Sequence, residues 1–240
     1  MPTVYRQIVP CCVFAGLLAA VLGCDTSSQF AADELLLASN RIVPAHRTAC
    51  EELLADQFGT PDEPRIPASL DDMFDAQLLE LAAGEVISHT EGVTHGLYRR
   101  HCARCHGVTG DGRGPTALYQ HPYPRDYRRG VFKYKSTQRG APPTDADLHG
   151  VLERGVAGTA MPSFALLAQQ ERDALVQYVK YLAIRGQAER ALVDYVAEEL
   201  EFDPQTGEVE AGSELSASSP DDQELVAEIV ADVADRWRSA

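Results

Sequence analysis

Helical spacing of apolar positions dominates the chain. Residues 33–85 show it throughout, interrupted by Gly59-Thr60-Pro61-Asp62-Glu63-Pro64, and Leu70, Met73, Phe74, Leu78 and Leu81 mark a core-facing stripe. A further helix is predicted from about His95 to Cys105, with Thr94 as its cap. Another runs from Thr144 to about Arg154, opened by a Thr144/Asp147 capping box and closed by Gly155. Leu175, Tyr178, Val179 and Leu182 give one face to a helix over 169–184. Ala191, Leu192, Tyr195, Val196 and Leu200 predict a separate one over 187–200. Residues 203–220 form a polar linker, and 221–238 a last helix striped by Leu225, Val226, Ile229, Val230, Val233 and Trp237. That stripe must bury against something: a partner protein is the preferred reading, then the chain itself and, less well because its polar face is acidic, a membrane. The pattern is that of an all-α fold.

Charge divides the same map. The 240 residues carry a formal net charge of −15, distributed as −9 over residues 1–89, +6 over 90–185 and −12 over 186–240. A basic segment thus lies between two acidic ones, which marks candidate domain borders. The acidic total argues against a nucleic-acid partner, whose phosphates are bound by Lys and Arg.

Six cysteines do not make a three-disulfide framework here. Cys11 and Cys12 sit in the apolar run Ile8–Gly23, which follows Arg6 and reads as a secretory signal. Val21-Leu22-Gly23-Cys24 resembles a bacterial lipobox, which implies cleavage before Cys24, lipidation of that residue and a tether beginning Asp25-Thr26-Ser27-Ser28. An ordinary cleaved signal or an uncleaved anchor is the alternative. Cys50, with His46 four residues earlier, reads as a half-buried structural thiol, because two ligands do not make a zinc site.

Cys102-Ala103-Arg104-Cys105-His106 has the C-x-x-C-H spacing of c-type haem attachment. Two cysteines three apart on a helix present their sulfurs to one side, where each forms a thioether with a vinyl group, and the adjacent histidine aims at the iron. A zinc ribbon needs a second ligand pair, absent after Cys105, and a thioredoxin-like pair needs a βαβ pattern, also absent. For the other side of the iron, Met161 in Gly158-Thr159-Ala160-Met161-Pro162 is the candidate, since Pro162 favours an extended backbone before it. His121 and His149 are its rivals. Residues 123–139, basic with interleaved aromatics, read as a covering loop in which Tyr127, Phe132 and Tyr134 line a pocket. Arg125, Arg128, Lys133 and Lys135 are candidate partners for haem propionates.

These pieces together resemble a class I cytochrome c domain: Gly96-Leu97-Tyr98, Cys102 to Gly107, Gly110-Asp111-Gly112-Arg113-Gly114-Pro115, and Gly158 to Pro162. The resemblance implies one covalent haem c, His106 and Met161 as axial ligands, and Pro115 offering its carbonyl to the free nitrogen of His106. It also implies a C-terminal helix crossing the first near Leu97 and Tyr98. The expected organisation is a lipoprotein-type signal peptide (1–23), a tether and helical extension (24–85), a cytochrome c domain (86–186) and an acidic helical tail (187–240).

The expected role is one-electron transfer, not catalysis, by a carrier or subunit of a respiratory chain. It would sit on the periplasmic side of a bacterial envelope, anchored by lipid, with an oxidase or dehydrogenase complex as redox partner. A single-haem redox enzyme or sensor with a labile sixth ligand is the alternative, and ligation by Met161 separates the two.

Overall fold

The computed structural model describes residues 28–88 and 94–240. The signal-like run and Cys24 lie outside the described residues. Among the described residues eight α-helices carry the fold: α1 (Glu34–Ser39), α2 (Pro44–Phe58), α3 (Ala76–Ala82), α4 (Leu97–His101), α5 (Ala103–His106), α6 (Asp145–Arg154), α7 (Gln169–Glu199) and α8 (Pro220–Arg238). Two two-residue strands, β1 (Ile87–Ser88) and β2 (Thr94–His95), pair antiparallel. The fold class is the expected all-α one.

The interruption at Gly59–Pro64 falls between α2 and α3, where the sequence places it, and α6 opens on the Thr144/Asp147 capping box. The helix expected over His95–Cys105 is instead split. Thr94 and His95 belong to β2, and Gly96 starts α4 in a left-handed conformation, so Thr94 caps nothing. The backbone at Cys102 then departs from helical angles before α5 begins.

The two helices expected over 169–184 and 187–200 are one, α7, running without a break through Gly186. That glycine is a notch, not a stop. A Cβ there would sit 2.3 Å from the Arg128 Cα, so only glycine lets the 123–139 loop lie against the helix. The border expected after residue 186 therefore falls inside a helix shared by the central segment and the tail.

The last helix buries its stripe on its own chain and not, as preferred from the sequence, on a partner protein. Val226, Val230, Val233 and Trp237 are all buried, and α8 rests on α7, α2 and the 3₁₀ turn Ala68–Leu70. Each such side chain contributes about 1.5–3 kcal/mol of transfer free energy, so the stripe holds the tail down. The 203–220 linker is folded as well: Phe202 bridges Val209, Leu215 is buried, and the Ser213 carbonyl lies 2.8 Å from His46 Nε2.

The N-terminal extension is stitched to the same body. The Ser28 backbone N–H donates to Asp62 Oδ2 at 2.6 Å, and Asp62 pairs with Arg99 of α4. The Asp33 N–H donates to Glu189 Oε1 at 2.8 Å, Glu189 pairs with Arg185 four residues earlier, and Arg185 lies over the Phe30 ring. Tyr98 of α4 packs on Tyr178 of α7, ring centroids 4.9 Å apart, at the expected crossing.

Candidate functional site

Between α5, α6, α7 and the 120–134 loop lies a cavity of about 280 Å³. Cys102, Cys105, His106 and Met161 all line it, although 55 residues of chain separate the last two. Phe132, Leu148, Leu152, Val176 and Val179 supply apolar wall. The structure thus brings together Cys102, Cys105 and His106, singled out by spacing, and Met161, singled out by its loop.

Each is placed by a local cause. Around Cys102, burial and then the neighbouring Cys105 thiol push its pKa up to about 12. Both sulfurs are free thiols, and Cys105 Sγ accepts from Gln120 Nε2 at 2.9 Å. Tyr98 braces the turn behind them, its hydroxyl donating to the Gly107 carbonyl at 2.9 Å.

His106 Nδ1 lies 3.0 Å from the Arg125 carbonyl. A carbonyl only accepts, so Nδ1 carries the proton and Nε2 keeps its lone pair. Burial holds the imidazole pKa below its ordinary value, which favours this neutral form. The acceptor expected for that nitrogen was Pro115, but Pro115 is exposed and the 120–134 loop delivers Arg125 instead. The face of His106 stacks on Tyr127, centroids 4.6 Å apart and planes 16° from parallel.

Met161 is fixed by its own loop. Its N–H donates to Thr159 Oγ1 at 3.1 Å and its carbonyl accepts from the Val156 N–H at 3.1 Å. Gly155 makes the approach possible: it holds a φ of 65°, and a Cβ there would lie 2.7 Å from the Pro162 carbonyl carbon.

The covering loop behaves as expected in part. Tyr127, Phe132 and Tyr134 line the cavity, as do Arg125 and Lys133. Arg128 does not; it is buried and spent on Asp126 at 2.9 Å. Lys135 turns to Thr137 Oγ1 at 2.9 Å. Of the rival histidines, His149 faces Asp173 at 3.2 Å, and neither it nor His121 lines the cavity. Met73 packs against the core. His46 and Cys50 are buried, and no group of three or more His, Cys, Asp or Glu side chains able to hold a metal occurs among the described residues.

Sequence reasoning missed Arg125 as the His106 acceptor, Gly186 as a notch, and Gln120 beside Cys105. A backbone acceptor leaves no trace in residue type, so only the loop's path reveals it.

The donor set fits covalently held haem: two free thiols, a neutral imidazole with an open lone pair, and a thioether around one mostly apolar cavity. Residues 95–183 match the cytochrome c family model, so the chain contains a cytochrome c domain, which implies covalently bound haem c. A chain of the reducing HAO-like protein complex of Kuenenia stuttgartiensis is similar at 31% identity and a TM-score of 0.35, over 40% of this chain and 44% of that one. The match therefore spans less than half of that chain's length. No curated protein matches. No described helix is long and apolar enough to cross a membrane.

Proposed function

We propose that this chain is a monohaem electron carrier or complex subunit, tethered through Cys24 on the periplasmic side of a bacterial envelope. It would exchange single electrons with a respiratory oxidase or dehydrogenase complex. One observation carries the reading: Cys102, Cys105, His106 and Met161 line a single cavity. When bound, the haem supplies a one-electron iron couple.

The chain's own residues bind, orient and shield. Cys102 and Cys105 would hold the haem through two thioethers, and His106 would offer Nε2 and Met161 its sulfur to the iron. Hydrogen bonding of Nδ1–H to the Arg125 carbonyl fixes the ring and strengthens Nε2 as a donor. Phe132, Leu148 and Val179 keep the wall apolar. With His106 and Met161 both serving the iron, the chain would leave no site for oxygen or peroxide, which favours carrier over enzyme.

The tether is short. Ser28 is already bonded to the body, so a lipidated Cys24 holds the domain within ~14 Å of its anchor point, four residue spacings at full extension. Residues 28–85 consequently act as part of the body and not as a spacer.

Expression in a host that assembles c-type cytochromes tests the reading. Wild-type protein is expected to keep a haem stain through denaturing electrophoresis, and the Cys102→Ser, Cys105→Ser double variant to lose it. Wild-type protein without stain would sink the proposal.

A further inference from the structure

His106 takes both of its ring contacts from one stretch of chain, the Arg125 carbonyl at its edge and Tyr127 on its face. That stretch is clamped from both sides by segments outside the matched residues 95–183. From the N-terminal side, Arg128 Nη1 donates to the Ala32 carbonyl at 3.3 Å, and Nη2 lies 4.0 Å from Asp33. From the C-terminal side the contact is aromatic. Tyr127 stacks on Phe132 with centroids 6.0 Å apart and planes 10° from parallel, and Trp237 of α8 meets Phe132 edge to face at 6.2 Å and 85°.

Trp237 is itself fixed. Its Nε1–H donates to Gln187 Oε1 at 2.7 Å. Gln187 also lies against the loop, since a Cβ at Gly130 would sit 2.3 Å from its Nε2. Val226, Val230 and Val233 are buried along α8, and Trp237 stands at the helix end, in ring contact with Phe132 of the loop. Aromatic side chains have two side-chain torsions and rigid planes, so a row of them transmits orientation well.

On the reading that His106 ligates the iron, we propose that Trp237 is a positioning residue for the His106 imidazole, acting through Phe132 and Tyr127. The C-terminal helix is then part of the haem site. Orientation of the ligand and exclusion of water near it both set a haem potential.

The test uses the full-length holoprotein and reads midpoint potential, the low-spin electron paramagnetic resonance signature and thermal midpoint. Trp237→Leu is expected to lower the potential, because water admitted beside His106 favours the more highly charged oxidised form, and to shift the resonance. Trp237→Phe is expected to restore most of both. Val226→Ala, about 16 Å away along the same helix, should lower the thermal midpoint and leave the potential in place. A Phe132→Leu, Trp237→Leu double variant should shift no further than the larger single, since both break one chain of contacts. A Trp237→Leu potential and resonance equal to wild type, or additive shifts in the double variant, would overturn the proposal. Should Trp237→Leu not accumulate, Phe132→Leu breaks the same row one ring nearer His106, and an unmoved potential there overturns it equally. Failure of the haem-site reading looks different: the wild-type protein would carry no haem.

Discussion

The imidazole of His106 and the phenol ring of Tyr127 lie face to face, 4.6 Å between centroids and 16° from parallel. Tyr127 reaches that position because its backbone N–H donates to the Gly110 carbonyl at 2.7 Å, tying the 120–134 loop to the loop after the attachment motif. Tyr127→Leu removes two stacked pairs and is expected to destabilise the holoprotein by about 1–3 kcal/mol in urea unfolding. Tyr127→Phe keeps both stacks and should stay near wild type. Equal damage from the two would place the effect in the hydroxyl instead.

Met161 has its backbone held independently of its side chain, by Thr159 and Val156. Met161→Ala should therefore leave the loop intact while opening one side of the iron. The oxidised protein is expected to lose its methionine–iron charge-transfer band, the potential to fall, and the reduced protein to bind carbon monoxide rapidly. Wild-type protein binding carbon monoxide as fast as the variant would shift the reading to a redox enzyme or sensor.

What could be read from sequence follows from where each constraint lives. Covalent attachment demands a fixed local spacing, so Cys102, Cys105 and His106 announce themselves, and the Thr144/Asp147 box is visible for the same reason. Arg125 was invisible because its contribution is a carbonyl that every residue has. Gly186 misled because its reason is the Arg128 backbone, 58 positions away. Trp237 showed only as the end of an apolar stripe; its contacts with Phe132 and Gln187 depend on how α8 returns to the body.

Gly186→Ala sets two effects against each other. Alanine is the better helix former by about 1 kcal/mol. The added Cβ would meet the Arg128 Cα, Cβ and carbonyl oxygen at 2.3, 2.4 and 2.6 Å, and backbone does not move aside cheaply. Overpacking costs about 1–3 kcal/mol, so the net expectation is a lower thermal midpoint. A gain in stability would show that the loop yields.

Asp147 gives a pH dependence with a definite sign. Burial raises its pKa, but hydrogen bonds from the Thr144 N–H at 3.0 Å and from the Ser136 N–H and hydroxyl at 2.8 and 3.1 Å outweigh it, holding the carboxyl below its ordinary 3.8. The fold thus favours the charged form: the contribution is present above the ordinary value and fades as pH falls through the depressed one. Asp147→Asn should be less stable than wild type at about pH 6, with the gap closing toward about pH 3. A constant gap across that range would assign the effect to packing.

The acidic tail gives a salt-dependent prediction. Glu228 and Asp232 are exposed on α8, and Trp237 at the end of the same helix touches Phe132 of the basic loop. Because α7 runs on into the tail, truncation would remove core, and charge neutralisation is the cleaner probe. Asp232 is about 7.5 Å and Glu228 about 13.5 Å from Trp237 along the helix. Both lie inside the Debye length of ~30 Å at 0.01 M salt and outside the ~3 Å at 1 M. Glu228→Gln with Asp232→Asn should speed reaction with a small anionic redox reagent at low salt, slow it with a cationic one, and converge on wild type for both at 1 M. Rates that moved together for the two reagents, or persisted at high salt, would show a change in the site itself and not in the field around it.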